Sequence, residues 1–140
     1  MNIPADLDVC VVDPDPALYN ALAPMFRAAD ARLRAFARAE ELLVNGVSGS
    51  VRCVVAAALL PGMSGVELIG RLRRSGNPAP VVLLVPPDDV GTAVSAMRSG
   101  AVDVLEMPAP ISRLLHSLVA SSAAAHPARQ VAAPLGPDGA

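Results

Sequence analysis

The sequence predicts an α/β fold, a doubly wound parallel sheet of five strands, and three observations predict it. Short β-type runs alternate five times with helical patterns. The central runs are apolar almost without a break, as strands covered by helices on both faces are. Several of the switches fall on Pro, Gly, Asn or Asp, residues that turn the chain.

Val9-Cys10-Val11-Val12 is the first strand-length run. Asp15-Pro16 then reads as a helix start, with Asp as the cap and Pro at the first helical position. Leu18, Leu22, Met25 and Phe26 follow at helical spacing, and Pro24 predicts a kink because it cannot donate to the Asn20 carbonyl. Leu33-Arg34-Ala35-Phe36 alternates like an edge strand. A short helix around Ala39, Leu42 and Leu43 stops at Asn45-Gly46.

Cys53-Val54-Val55 marks the third strand in an apolar run that Pro61-Gly62 breaks. Ser64 and Glu67 stand at capping-box spacing, ahead of a helical face of Gly65, Leu68, Ile69 and Leu72. Ser75-Gly76-Asn77-Pro78 ends that helix. Val81 to Val85 is the fourth and most apolar strand, closed by Pro86-Pro87. Val90, Ala93, Val94 and Met97 form the next helical stripe, and Gly100 ends it. Val102 to Leu105 is the fifth strand. Ile111, Leu114, Leu115, Leu118 and Val119 make the last amphipathic face. The expected organisation is a lead-in over residues 1–7, one domain over 8–122, and a disordered Ala/Pro/Gly-rich tail over 123–140.

The composition narrows the chemistry. Aromatic residues are only 2% of 140, so the core must be aliphatic. There is no Lys, which excludes any function that needs a lysine amine. The net charge of -2 gives no field for nucleic acid, and the Arg groups (Arg32, Arg34, Arg38; Arg71, Arg73, Arg74) read as solvated faces. Cys10 and Cys53 sit in apolar runs and read as buried reduced thiols rather than metal ligands. His116 and His126 carry no site signal of their own. No secretion signal or membrane span is visible, so a cytoplasmic protein is expected.

Four segments carry a family resemblance: Val11-Val12-Asp13, Pro61 to Leu68, Ala93 to Asp103, and Leu105-Glu106-Met107-Pro108. Together the chain resembles the receiver domain of two-component response regulators, most closely the receivers of the LuxR-output class. The resemblance runs from Asp8 to Val119. It implies a flavodoxin-like sheet of order 2-1-3-4-5 with its chemistry at the carboxyl ends of the strands.

A receiver is phosphorylated on an Asp ending the third strand. Two acidic groups on the first strand help to hold Mg²⁺, and a hydroxyl and a Lys end the fourth and fifth. Carried over residue by residue, the phosphoacceptor falls on Ala57. The first acidic position is kept as Asp13, and the second falls on Pro14. The hydroxyl position falls on Val85, the Lys position on Met107, and an aromatic switch position on Val104. Coordinated loss of this kind implies a repacked pocket, with Met107 as an adaptable filler. Asp15 is accounted for as a helix cap, and no metal, cofactor or catalytic residue is expected. The Pro86-Pro87 loop reads either as a fixed conformation no longer switched by a phosphoryl group or as an ordinary Pro-rich loop, and the Met107-Pro108 bond is expected to be cis, as in receivers.

The resemblance therefore implies a degenerate stand-alone receiver, a pseudo-receiver that is not an enzyme and acts by protein-protein interaction. The expected partner is a histidine kinase, another response regulator, or a second copy in a homodimer, with no nucleic acid and no membrane. The candidate face comprises Met97, Arg98, Val104, Met107 and Leu115. Two alternatives stand beside it. One is a flavodoxin-like ligand-binding or enzymatic domain, although no Gly-rich phosphate loop or nucleophile-base pair is present. The other is the orphaned receiver part of a DNA-binding regulator.

Overall fold

A computed structural model describes residues 2–45, 47 and 51–125 of the chain. The elements run β1 (Asp8–Val12), α1 (Ala17–Ala28), β2 (Arg32–Phe36), α2 (Ala39–Asn45), β3 (Cys53–Ala57) and α3 (Gly65–Arg74). They continue with β4 (Val81–Val85), α4 (Val90–Ser99), β5 (Asp103–Glu106) and α5 (Ile111–Ala125). All five strands are parallel in the order β2-β1-β3-β4-β5, the flavodoxin-like topology expected.

Alternation along the strands builds two cores. Cys10, Val12, Val54, Leu83 and Val85 face Leu42 of α2, Leu68, Ile69 and Leu72 of α3, and Ala96 of α4. Val9, Val11, Val55 and Leu84 face Leu22 and Phe26 of α1 and Leu114, Leu115 and Leu118 of α5. Every residue of β1 and β4 is buried, and all of them except Asp8 are apolar, as strands covered on both faces are. Each fully buried Leu or Val contributes about 1.5–3 kcal/mol.

The helix starts follow local chemistry. The Asp15 carboxylate accepts the Ala17 N–H at 3.0 Å, and Pro16 precedes the helix in helical geometry. Helix α1 continues through Pro24 to Ala28. Ser64 Oγ accepts the Glu67 N–H at 3.1 Å, but the Glu67 carboxylate pairs with Arg71 one turn on at the same distance. Only half of the capping box is therefore in place. Asp89 caps α4 by accepting the N–H of Thr92, a cap that the spacing argument missed.

The α4 stripe faces outward: Val90 is 69% exposed and Met97 53%, Val94 is also exposed, and the one buried residue of the helix is Ala96. Helical spacing is the same for an outward stripe as for an inward one, and here a small Ala lets the helix sit close on the sheet. Helix α5 runs to Ala125, beyond the expected boundary at 122, because Ala is the strongest helix former. The lead-in is partly core, since Leu7 is buried and its carbonyl accepts the Arg32 N–H. The Arg groups are not simply solvated faces. Arg34 pairs with buried Asp8 at 3.0 Å, and Arg73 donates to the carbonyls of Asn77, Ala79 and Gly100. Burial holds the Arg73 guanidinium below its ordinary pKa. Gly46, His126 and the expected tail beyond Ala125 lie outside the described residues.

Candidate functional site

Parallel strands end together, so one edge of the sheet collects five strand ends. The loop after β1, the end of β3, the end of β4 and the turn after β5 converge there. Ladder bonds hold them in register. The Asp13 N–H donates to Phe36 at 3.0 Å, the Ala58 N–H to Leu84 at 2.9 Å, and the Met107 N–H to Val85 at 2.8 Å.

Asp13, Ala57, Val85 and Met107 consequently line one hollow of about 290 Å³, together with Leu18, Ala58, Leu59, Leu84 and Pro86. Four of the positions named from the sequence are thus brought together; Pro14, which is exposed, and the switch position Val104, which is half-buried, lie outside the lining. Leu59, Leu18 and Pro86 were not foreseen. Leu59 is 76% exposed beside the hollow, and nothing in an apolar run distinguishes its last residues from core. The hollow is also not filled. Met107 packs against the α1/α5 core, yet the space remains, because a side chain held on that side cannot also occupy the volume above Ala57.

Asp13 is the one ionisable residue of this lining. Its Oδ1 accepts the Asp15 N–H at 2.9 Å, which closes the turn after β1. Among the described residues no group of three or more His, Cys, Asp or Glu is placed to hold a metal ion. A single carboxylate beside apolar walls is a weak ligand set for Mg²⁺, which prefers several oxygens.

The β4–α4 loop is pinned. Asp88 takes a left-handed conformation with φ 62°, and its N–H donates to Glu106 Oε2 at 3.0 Å. Asp89 accepts from both the N–H and the hydroxyl of Thr92. The Met107-Pro108 bond is cis, as expected.

Of the candidate face, Met97 and Arg98 are exposed, and Val104 and Met107 are half-buried. Leu115 is a correction. It is 2% exposed beneath α5 among Leu114 and Leu118, because it lies on the inward stripe of that helix. The exposed Val90, Val94 and Val102 belong to the outer surface in its place. His116 is exposed on α5 near Arg113 and Asp103, and Asp103 is engaged by the Ser117 hydroxyl at 2.6 Å. The two thiols face opposite cores. Burial raises the Cys10 pKa and pushes Cys53 up to about 12.

The described helices include none long and apolar enough to cross a membrane. The model of the response regulator receiver domain matches residues 9–119, and the chain belongs to that family. It is 32% identical over 120 residues to the transcriptional regulatory protein FixJ of Bradyrhizobium diazoefficiens, covering 86% of this chain and 58% of that one. It is 34% identical over 114 residues to the C4-dicarboxylate transport regulator DctD of Pseudomonas aeruginosa, covering 81% of this chain and 25% of the other. Full-length FixJ from B. japonicum superposes with a TM-score of 0.77 at 32% identity, over 90% of this chain and 62% of that one. The receiver domain of NtrX from Brucella abortus gives 0.73 at 26% identity, over 82% and 98%. The chain spans about half the length or less of these curated relatives. It is a receiver domain of two-component signalling.

Proposed function

We propose that this receiver is a pseudo-receiver: it has lost the phosphoryl switch and signals in the cytoplasm by phosphorylation-independent protein-protein interaction. The observation that carries the reading is the hollow at the strand ends. Ala57 stands where the resemblance puts the phosphoacceptor, and a methyl group cannot take a phosphoryl group. Val85 and Met107 stand in the same lining, so the hydroxyl and the cation that would offset phosphoryl charge are lost with it. Losing the carboxylate and the Lys together is close to neutral for folding, whereas losing either alone leaves a buried charge unpaired.

The pinned β4–α4 loop supports a fixed output. Two prolines, the Glu106 contact and the Asp89 cap restrain it without any phosphoryl group. The outward stripe Val90, Val94 and Met97, with Arg98 beside it, supplies an apolar surface with a basic edge on α4. The partner is a histidine kinase, another response regulator or a second copy.

The test is capture from the native cell with the tagged chain, in the presence and absence of acetyl phosphate and Mg²⁺. The reading predicts the same partner in the same amount under both conditions. It also predicts loss of that partner when Val90 and Met97 are changed to Ser. Capture that requires the phosphodonor would contradict it.

A further inference from the structure

We propose that the hollow at the carboxyl end of the sheet binds a small organic cation, an apolar body of roughly four to eight carbons carrying one protonated amine. The hollow measures about 290 Å³, the size of a small ligand rather than a nucleotide. Its walls include Leu18, Ala57, Leu84, Val85, Pro86 and Met107, all apolar. Leu59, 76% exposed, adds an apolar flank beside it. Such surface is unfavourable against water and is covered by an apolar guest.

Charge selects among apolar guests. Asp13 is the one ionisable group of the lining, and it is half-buried. Its Oδ1 is occupied by the Asp15 N–H, while Oδ2 makes no hydrogen bond to any described residue. Among the described residues no Arg or His lines the hollow to neutralise it. An anion is repelled there, a neutral guest gains only the apolar contact, and an ammonium gains both. The inference does not rest on the protein-partner reading, which concerns the outer surface of α4.

The experiment is an ¹⁵N-resolved amide titration of the full chain with hexylammonium, 1-hexanol and hexanoate. Hexylammonium gives saturable shifts at Ala57, Ala58, Leu59 and Val85. It binds about two- to fivefold tighter than 1-hexanol, and hexanoate is weakest. Shortening hexyl to butyl weakens binding by up to about fourfold per methylene. Asp13→Asn keeps an oxygen for the Asp15 N–H, abolishes the preference for the ammonium and leaves 1-hexanol unchanged. Ala57→Phe fills the hollow and removes binding of all three. Shifts that fail to saturate, equal binding of hexanoate, or an ammonium preference that survives Asp13→Asn would each overturn the proposal. If Ala57→Phe does not fold, the Asp13→Asn comparison decides alone.

Discussion

Two glycine-to-alanine changes should have opposite signs, and the reason lies beside the hollow. Gly65 opens α3 where that helix meets the end of β3. A Cβ there would lie 2.5 Å from the Ala57 carbonyl oxygen, 2.5 Å from Leu83 Cδ1 and 3.2 Å from the Ala58 Cα. Leu83 can adjust by rotating, but a backbone carbonyl in the sheet cannot. Ordinary C···O contacts begin near ~3.3 Å, so the start of α3 would have to retreat by roughly 0.8 Å. Overpacking of this kind costs about 1–3 kcal/mol, and the gain in helix propensity at a first-turn position is smaller than that. Gly91 is the control. It lies in α4, and an added Cβ would meet nothing within 4 Å. There, Ala should stabilise by about 0.5–1 kcal/mol. Urea unfolding followed by circular dichroism reads both as midpoint shifts at unchanged slope. If Gly65→Ala is as stable as the parent, or if both variants move the same way, the close approach of α3 to β3 is not as described.

The other consequences concern the thiols and the two sides of the last helices. Cys10 and Cys53 should resist iodoacetamide in the folded protein and react once it is unfolded, as read by intact mass, because burial suppresses both thiolates. Cys53 also sets a pH window. Its folded pKa is raised to about 12 from 9.0, so its contribution is fully present below pH 9.0 and is lost as pH rises toward 12. The loss reaches about 4 kcal/mol at most, and a Cys53→Ala variant should show a flatter alkaline limb. Leu115→Ala should cost about 2–5 kcal/mol in thermal or urea unfolding. Met97→Ala should cost under about 0.5 kcal/mol, and equal losses would place Met97 in the core.

The fold was legible because the strands are short, apolar and parallel. Val81 to Val85 could be little else, and five such runs with helical spacers leave one architecture. The positions meeting at the hollow were legible through the resemblance, since strand ends in a parallel sheet converge by topology. What the sequence hid was direction. Val90, Val94 and Met97 have the spacing of a buried stripe and point outward, while Leu115 has the same spacing and points inward. Periodicity finds a face without saying which side the sheet is on. Pairings distant in sequence were hidden for a similar reason. Arg34 with Asp8, and the Glu106 carboxylate with the Asp88 N–H, require the sheet register to be known. Volume was hidden as well. A Met at the strand end suggested a filled site, and only its packing toward the α1/α5 core reveals the space left above Ala57.

The central claim is the loss of the phosphoryl switch, and intact-mass spectrometry after incubation with acetyl phosphate and Mg²⁺ tests it most directly. A receiver that keeps the Asp at the end of its third strand, treated in parallel, serves as the reference for labelling. The account predicts no phosphoryl adduct on this chain under conditions that label the reference. A Mg²⁺-dependent adduct mapped to Asp13, or to any other carboxylate at the strand ends, would contradict it.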